Sequence, residues 1–165
     1  MKFLIVFILT LSFSILSVDL DTIRDAYQEA SNDKTKVDEF NRLLLSVTKE
    51  DEAVLVAYKG ASIILNARNS SIILDKKKLF IEGVSYIEYA ITEAPDEVEP
   101  HFIRLSIQEN TPKFLKYKDN IEEDKNFILN QFNSINSTSL KSHIQDYILQ
   151  SELFTDEEKS VISKS

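Results

Sequence analysis

Cysteine and tryptophan do not occur in the 165 residues, and there are only two glycines, three prolines, two histidines and one methionine. Without a thiol the chain has no disulfide framework, no thiolate zinc site, no cysteine nucleophile and no lipidated amino-terminal cysteine. So little Gly and Pro leaves too few turn signals for an all-β sandwich or for a glycine-cradled nucleotide fold. Two histidines offer little to a metal. Gly-x-Ser-x-Gly, His-Glu-x-x-His, phosphate-loop and dinucleotide signatures are all missing. Basic residues are outnumbered, 19 against 27 acidic, for a formal charge of −8. Such a surface repels nucleic acid and anionic lipid unless a local basic patch intervenes. What is present is a globular balance, 43% hydrophobic and 28% charged, enough for one domain with a buried core.

The amino terminus reads as an export signal. Met1 and Lys2 precede an apolar run over residues 3–16, and Asp19 and Asp21 then open an acidic body. Residues 1–17 are expected to be a signal peptide and 18–165 a single helical domain. Ile15 departs from a small-x-small cleavage pattern, so the cut is not fixed. The competing reading is an uncleaved anchor over residues 3–20, since that run approaches the length of about 18 to 20 residues that spans a bilayer. Membrane association is expected only in that case. The protein is otherwise periplasmic or secreted.

The body repeats apolar residues at helical spacing. Leu20, Ile23, Tyr27 and Ala30 share one face, as do Val37, Phe40, Leu43, Leu44 and Val47. A third helix is expected over about 51–67, with Val54, Ala57, Tyr58, Ala61 and Leu65 inward and small residues that let another helix approach. Asp75 is the expected N-cap of a fourth, in which Leu79, Gly83, Tyr86, Ile87 and Ala90 stay in phase until Pro95. A fifth runs near 98–109 with Pro100 in its first turn. Asn120 can cap a sixth, Leu140, Ile144, Tyr147 and Ile148 mark a seventh, and Thr155 with Glu158 forms a capping box before a short terminal helix. Residues 63–65 and 72–74 are short aliphatic runs that periodicity does not separate from strands, although residues 66–71 lack a two-residue hairpin turn.

Gly83, Ile87, Ala90 and Pro95, spaced four, three and five apart, resemble the second helix of a tetratricopeptide repeat, and Asp96 follows the Pro as in such repeats. The resemblance covers roughly residues 51–110, without the Trp and Leu-Gly signals of a full repeat and with a long connection over 66–75. It implies antiparallel helical hairpins stacked as a short array. The same apolar stripes also serve an irregular bundle, so the expected fold is all-α, about seven helices in one of these two arrangements. The stretch FIRLSIQENTPKFLKY also resembles uncharacterised small exported proteins of Bacteroidetes type, a likeness that implies no activity.

Few constellations carry chemistry. His101, Arg104 and Gln108 lie three and four apart, so they share a stripe of the fifth helix. Read functionally, Arg104 makes a forked contact to a small anion or peptide carboxylate, oriented by His101 or Gln108. Read structurally, Arg104 pairs with a carboxylate and locks two helices, or the stripe lies wet at the surface. Lys76, Lys77 and Lys78 form the one dense basic run, either an anion contact or a hydrated helix face. Residues 122–124 and 156–158 are acidic first turns, favourable to the helix dipole and unlike an EF-hand loop. His143 and Asp146 suggest half of a relay without a nucleophile.

These readings converge on an exported, non-catalytic interaction or scaffold protein that binds another protein or peptide in a groove between stacked helices. Tyr58, His101, Arg104 and Gln108 are its expected contacts, and no cofactor, metal or nucleic acid is called for. The alternative is an envelope protein whose helices enclose a small molecule or lipid. A hydrolase with an unrecognised site is the third option.

Overall fold

Apolar residues three and four apart become helices almost throughout. The computed structural model describes residues 19–164, which hold eight α-helices: α1 Leu20–Asn32, α2 Val37–Leu43, α3 Ala53–Ala67, α4 Ile73–Glu93, α5 Val98–Asn110, α6 Ile121–Gln131, α7 Thr138–Gln150 and α8 Asp156–Ile162. Short 3-10 turns precede α2, follow α5 and follow α6. There is no strand among the described residues, and no helix there is long and apolar enough to cross a membrane. The expected export signal, residues 1–17, lies outside them.

Several boundaries follow from local chemistry. Thr155 and Glu158 form the reciprocal capping box of α8. Ser137 caps α7 by accepting from the Leu140 amide at 3.2 Å. Asn120 occupies the N-cap position of α6, but its side chain bonds Glu123 and leaves the backbone amides alone. Asp75 is not a cap: α4 begins at Ile73, so Asp75 falls in its first turn, where its charge suits the helix dipole. The aliphatic runs that left a hairpin open are helical, one inside α3 and the other starting α4.

The two glycines of the chain meet each other. α3 and α4 form an antiparallel hairpin, and a Cβ placed on Gly60 would stand 2.6 Å from the Gly83 carbonyl oxygen. One on Gly83 would stand 2.5 Å from the Gly60 oxygen. Two backbones therefore touch at a point where no side chain fits, and Ala57 and Ala61 of α3 and Ala90 of α4 are fully buried. Beside it, the rings of Tyr27, Phe40 and Tyr58 pack tilted or edge to face at 5.5–6.3 Å, joining α1, α2 and α3.

α5 lies at the centre. Every residue from Glu99 to Gln108 is buried, charged ones included. α3, α4 and α6 pack around it, and Phe102 reaches Tyr147 of α7.

Candidate functional site

A helix buried on all sides must satisfy its polar groups internally, because an unpaired buried charge is far costlier than a lost hydrogen bond. α5 does so for its charged side chains through two ionic clusters. In the first, Glu99 accepts a bidentate contact from Arg24 of α1, at 2.8 Å from Nε and 2.7 Å from Nη2, and a 2.6 Å bond from the Tyr58 hydroxyl of α3. Hydrogen bonding to Glu99 holds the Arg24 guanidinium above its usual range, and burial together with the Glu99 charge pushes the Tyr58 hydroxyl well up.

The second cluster is built on Asp124, a fully buried residue in the first turn of α6. Arg104 donates to it twice, Nε to Oδ2 and Nη2 to Oδ1, both at 2.7 Å. His101 Nδ1 lies 2.7 Å from the same Oδ1, and its Nε2 lies 3.0 Å from the Pro95 carbonyl. Arg104 also reaches Glu88 of α4 at 2.9 Å, and Glu88 accepts from Tyr117 at 2.6 Å. Burial pulls the Arg104 guanidinium down, but the bonds and charge of Asp124 outweigh it and hold it above its ordinary value. Burial and then the Glu88 bond push the Tyr117 hydroxyl up.

All four residues expected as ligand contacts are therefore interior. Tyr58, His101 and Arg104 are spoken for by Glu99, Asp124 and Glu88. Gln108 is fully buried, its amide nitrogen 3.4 Å from the Asn120 side chain and its Oε1 without a hydrogen-bond partner. The structure brings His101 and Arg104 together on one carboxylate, places Tyr58 in the other cluster, and turns none of the four toward the large cavity described next. Sequence reasoning missed the partners Arg24, Glu99 and Asp124. The signal was there: Asp124 sits three residues after Ile121 and four before Ile128, in phase with the apolar stripe of α6, where a charge implies burial with a partner.

Open space lies elsewhere. α1, the end of α3, the start of α4, the second half of α5 and α7 surround a cavity of about 930 Å³. Its apolar lining includes Ile64, Leu65, Phe80, Phe102 and Ile107. Toward solvent stand Ile73 and Phe114, 84% and 80% exposed, with Leu74 beside Ile73 also largely bare. Inside, the Tyr27 hydroxyl bonds Ser106, whose hydroxyl also donates to the Ile103 carbonyl. Burial raises the Tyr27 hydroxyl, an effect the Ser106 bond offsets in part. Tyr147 lines the far side and donates to Glu109 at 2.7 Å, while burial drives its hydroxyl up.

The cavity follows from the α3–α4 hairpin. The helices touch at Gly60 and Gly83, and the first turns of α4 run beyond the core, exposed from Ile72 to Lys78. Lys76 and Lys77 of the basic run, with Arg68 after α3, come to line the mouth. His143 also lines it and pairs with Asp25 at 3.1 Å; Asp146 is not its partner there.

The chain matches no protein-family model, no curated protein and no solved structure. No group of three or more His, Asp or Glu among the described residues could hold a metal ion. A second recess of about 300 Å³ between the α4–α5 turn and the α6–α7 turn is smaller and mixes Asp96, Glu97 and Gln131 with Val98, Ile135 and Leu140.

Proposed function

We propose that this is an exported, non-catalytic binding protein that holds a small apolar or amphiphilic ligand among α1, α3, α4, α5 and α7. The observation that carries this reading is the 930 Å³ cavity with aliphatic and aromatic walls. Its volume falls in the range of about 300–1,000 Å³ typical of small-molecule sites. Apolar walls held apart forfeit contacts that a closed core would keep, at a cost that grows with cavity volume. A ligand restores those contacts. The charged groups of α5, Glu99, His101 and Arg104, already have protein partners, which favours binding over chemistry.

The second reading keeps the same groove but fills it with a segment of another protein. It is favoured by Ile72, Ile73, Leu74 and Phe114, whose exposure at the mouth gives an amphipathic helix something to cover. The tetratricopeptide-like spacing along α4 is in keeping with it, since Gly83, Ile87 and Ala90 face inward as in such hairpins.

Native mass spectrometry of gently purified protein tests the choice. A discrete small-molecule adduct, removed by organic extraction, is expected. Repeated absence of an adduct together with a stoichiometric co-purifying protein would transfer the groove to the second reading. Export is tested by amino-terminal sequencing of protein recovered outside the cytoplasm, with a new terminus expected near residue 18.

A further inference from the structure

The charge around the cavity narrows the ligand. Although acidic residues outnumber basic ones in the chain, no Asp or Glu lines this cavity, whereas Arg68, Lys76 and Lys77 do. Arg68 is held in place by donating Nη1 to the Ser31 carbonyl at 3.2 Å, which ties the end of α3 to α1. None of the three makes an ion pair with a carboxylate among the described residues, while Arg24, Lys36, Arg104 and Lys125 all do. Lys76 and Lys77 also sit near the N-terminus of α4, where the helix dipole opposes a cation. Three cations and a helix end of the same sign gathered beside an apolar chamber favour an anion at the mouth.

Resting on the cavity reading above, we propose that the ligand is a free long-chain carboxylate. Its hydrocarbon chain lies against Ile64, Phe80, Phe102 and Ile107, and its carboxylate faces Arg68, Lys76 and Lys77. The guanidinium fork of Arg68, with Nε and Nη2 turned to no protein acceptor among the described residues, matches a carboxylate in geometry as well as charge. The aliphatic and phenyl groups of the wall suit a methylene chain, although Gln28, Asn32, Asn110 and Gln150 also line the cavity.

The test is displacement of the neutral fluorophore N-phenyl-1-naphthylamine from the full chain by palmitate, 1-hexadecanol and hexadecyl phosphate, each below its aggregation limit. Palmitate is expected to displace the probe at about one-tenth the concentration that hexadecanol needs, the gain expected of a few partly solvated charge contacts. The combined Arg68→Gln, Lys76→Gln and Lys77→Gln variant, whose sites are exposed, should stay folded, bind the neutral probe as before and lose the preference. Probe binding with equal displacement by palmitate and hexadecanol would overturn the carboxylate inference and leave the cavity reading intact. A preference that survives in the triple variant would overturn the assignment to these cations. Hexadecyl phosphate binding tenfold better than palmitate would replace the carboxylate by a phosphate. Failure of both probe and palmitate to bind would overturn the cavity reading as well. Flotation with phosphatidylglycerol vesicles without palmitate displacement would assign the basic mouth to a membrane surface.

Discussion

α5 and the mouth of the cavity are opposites in composition and in exposure. α5 carries Glu99, His101, Arg104 and Gln108 and is buried from Glu99 to Gln108, whereas the start of α4 carries Ile72, Ile73 and Leu74 and is bare. Hydrophobicity alone would exchange them. Partners explain the inversion in α5: Glu99 and Arg104 are closed by bidentate ion pairs drawn from other helices, so their burial is tolerated. Nothing among the described residues covers the aliphatic start of α4. The residue types usually suspected of chemistry thus hold the scaffold together, and ordinary aliphatic, phenyl and lysine side chains border the open space.

The contrast breaks most visibly at Asp124. Asp124→Ala strands Arg104 and His101 in the interior and should cost about 3–5 kcal/mol, measured by urea unfolding. Arg104→Glu should be comparably damaging. Arg68→Glu, at the mouth, should leave the unfolding midpoint nearly unchanged and weaken palmitate binding. An Arg104→Glu protein that folds normally but fails to bind would return Arg104 to the ligand site.

Next in size is the hairpin that shapes the cavity. Gly83→Val drives a side chain into the Gly60 carbonyl and Ile64, and should cost about 1–3 kcal/mol or more because backbone cannot step aside cheaply. Probe affinity should fall with it if the crossing point sets the cavity walls. An unchanged midpoint would show that α3 and α4 do not cross at the two glycines.

Alkaline pH sharpens the contrast from the buried side. Tyr27, Tyr58, Tyr117 and Tyr147 all have hydroxyls raised above their ordinary value, with burial the leading cause. A folded-state value above the unfolded one of about 10 means the folded protein keeps its protons longer. Their contribution to stability is then complete below about pH 10 and declines as pH climbs past it. Tyrosinate absorbance from these four should therefore appear together with loss of helical circular dichroism. Smooth ionisation of all tyrosines in a still-folded protein would contradict their burial. The smallest effect is expected at α8, which lines no part of the cavity: Thr155→Ala removes one side of the capping box and should cost about 1 kcal/mol with no change in probe binding.

The helices were legible because each needs only local information. A stripe such as Leu140, Ile144 and Ile148 specifies its own periodicity, and Thr155 with Glu158 its own boundary. The start of α4 was displaced by three residues because Asp75 is an ordinary N-cap candidate, and nothing local says that Ile73 and Leu74 can begin a helix while exposed. The expected contacts went the other way. Periodicity shows that His101, Arg104 and Gln108 share a face, but not that α6 covers it, since their partners Asp124 and Asn120 lie 12 to 23 residues along the chain. The Arg104–carboxylate lock between helices was foreseen as one of three readings, beside a ligand site and a wet surface stripe; its partner was not. The cavity had no signature in one segment, because five separate segments build its walls. Its only local trace was the basic run at 76–78.

Photolabelling measures the claim that ligand recognition belongs to the cavity and scaffold maintenance to α5. The full chain is irradiated with a long-chain carboxylate bearing a diazirine on its hydrocarbon tail, and the modified peptides are mapped. Labels on the α3–α4 segment around residues 64–80 and on residues 102–115, suppressed by excess palmitate, are the predicted result. Competable labels confined to surfaces outside this cavity would contradict the account.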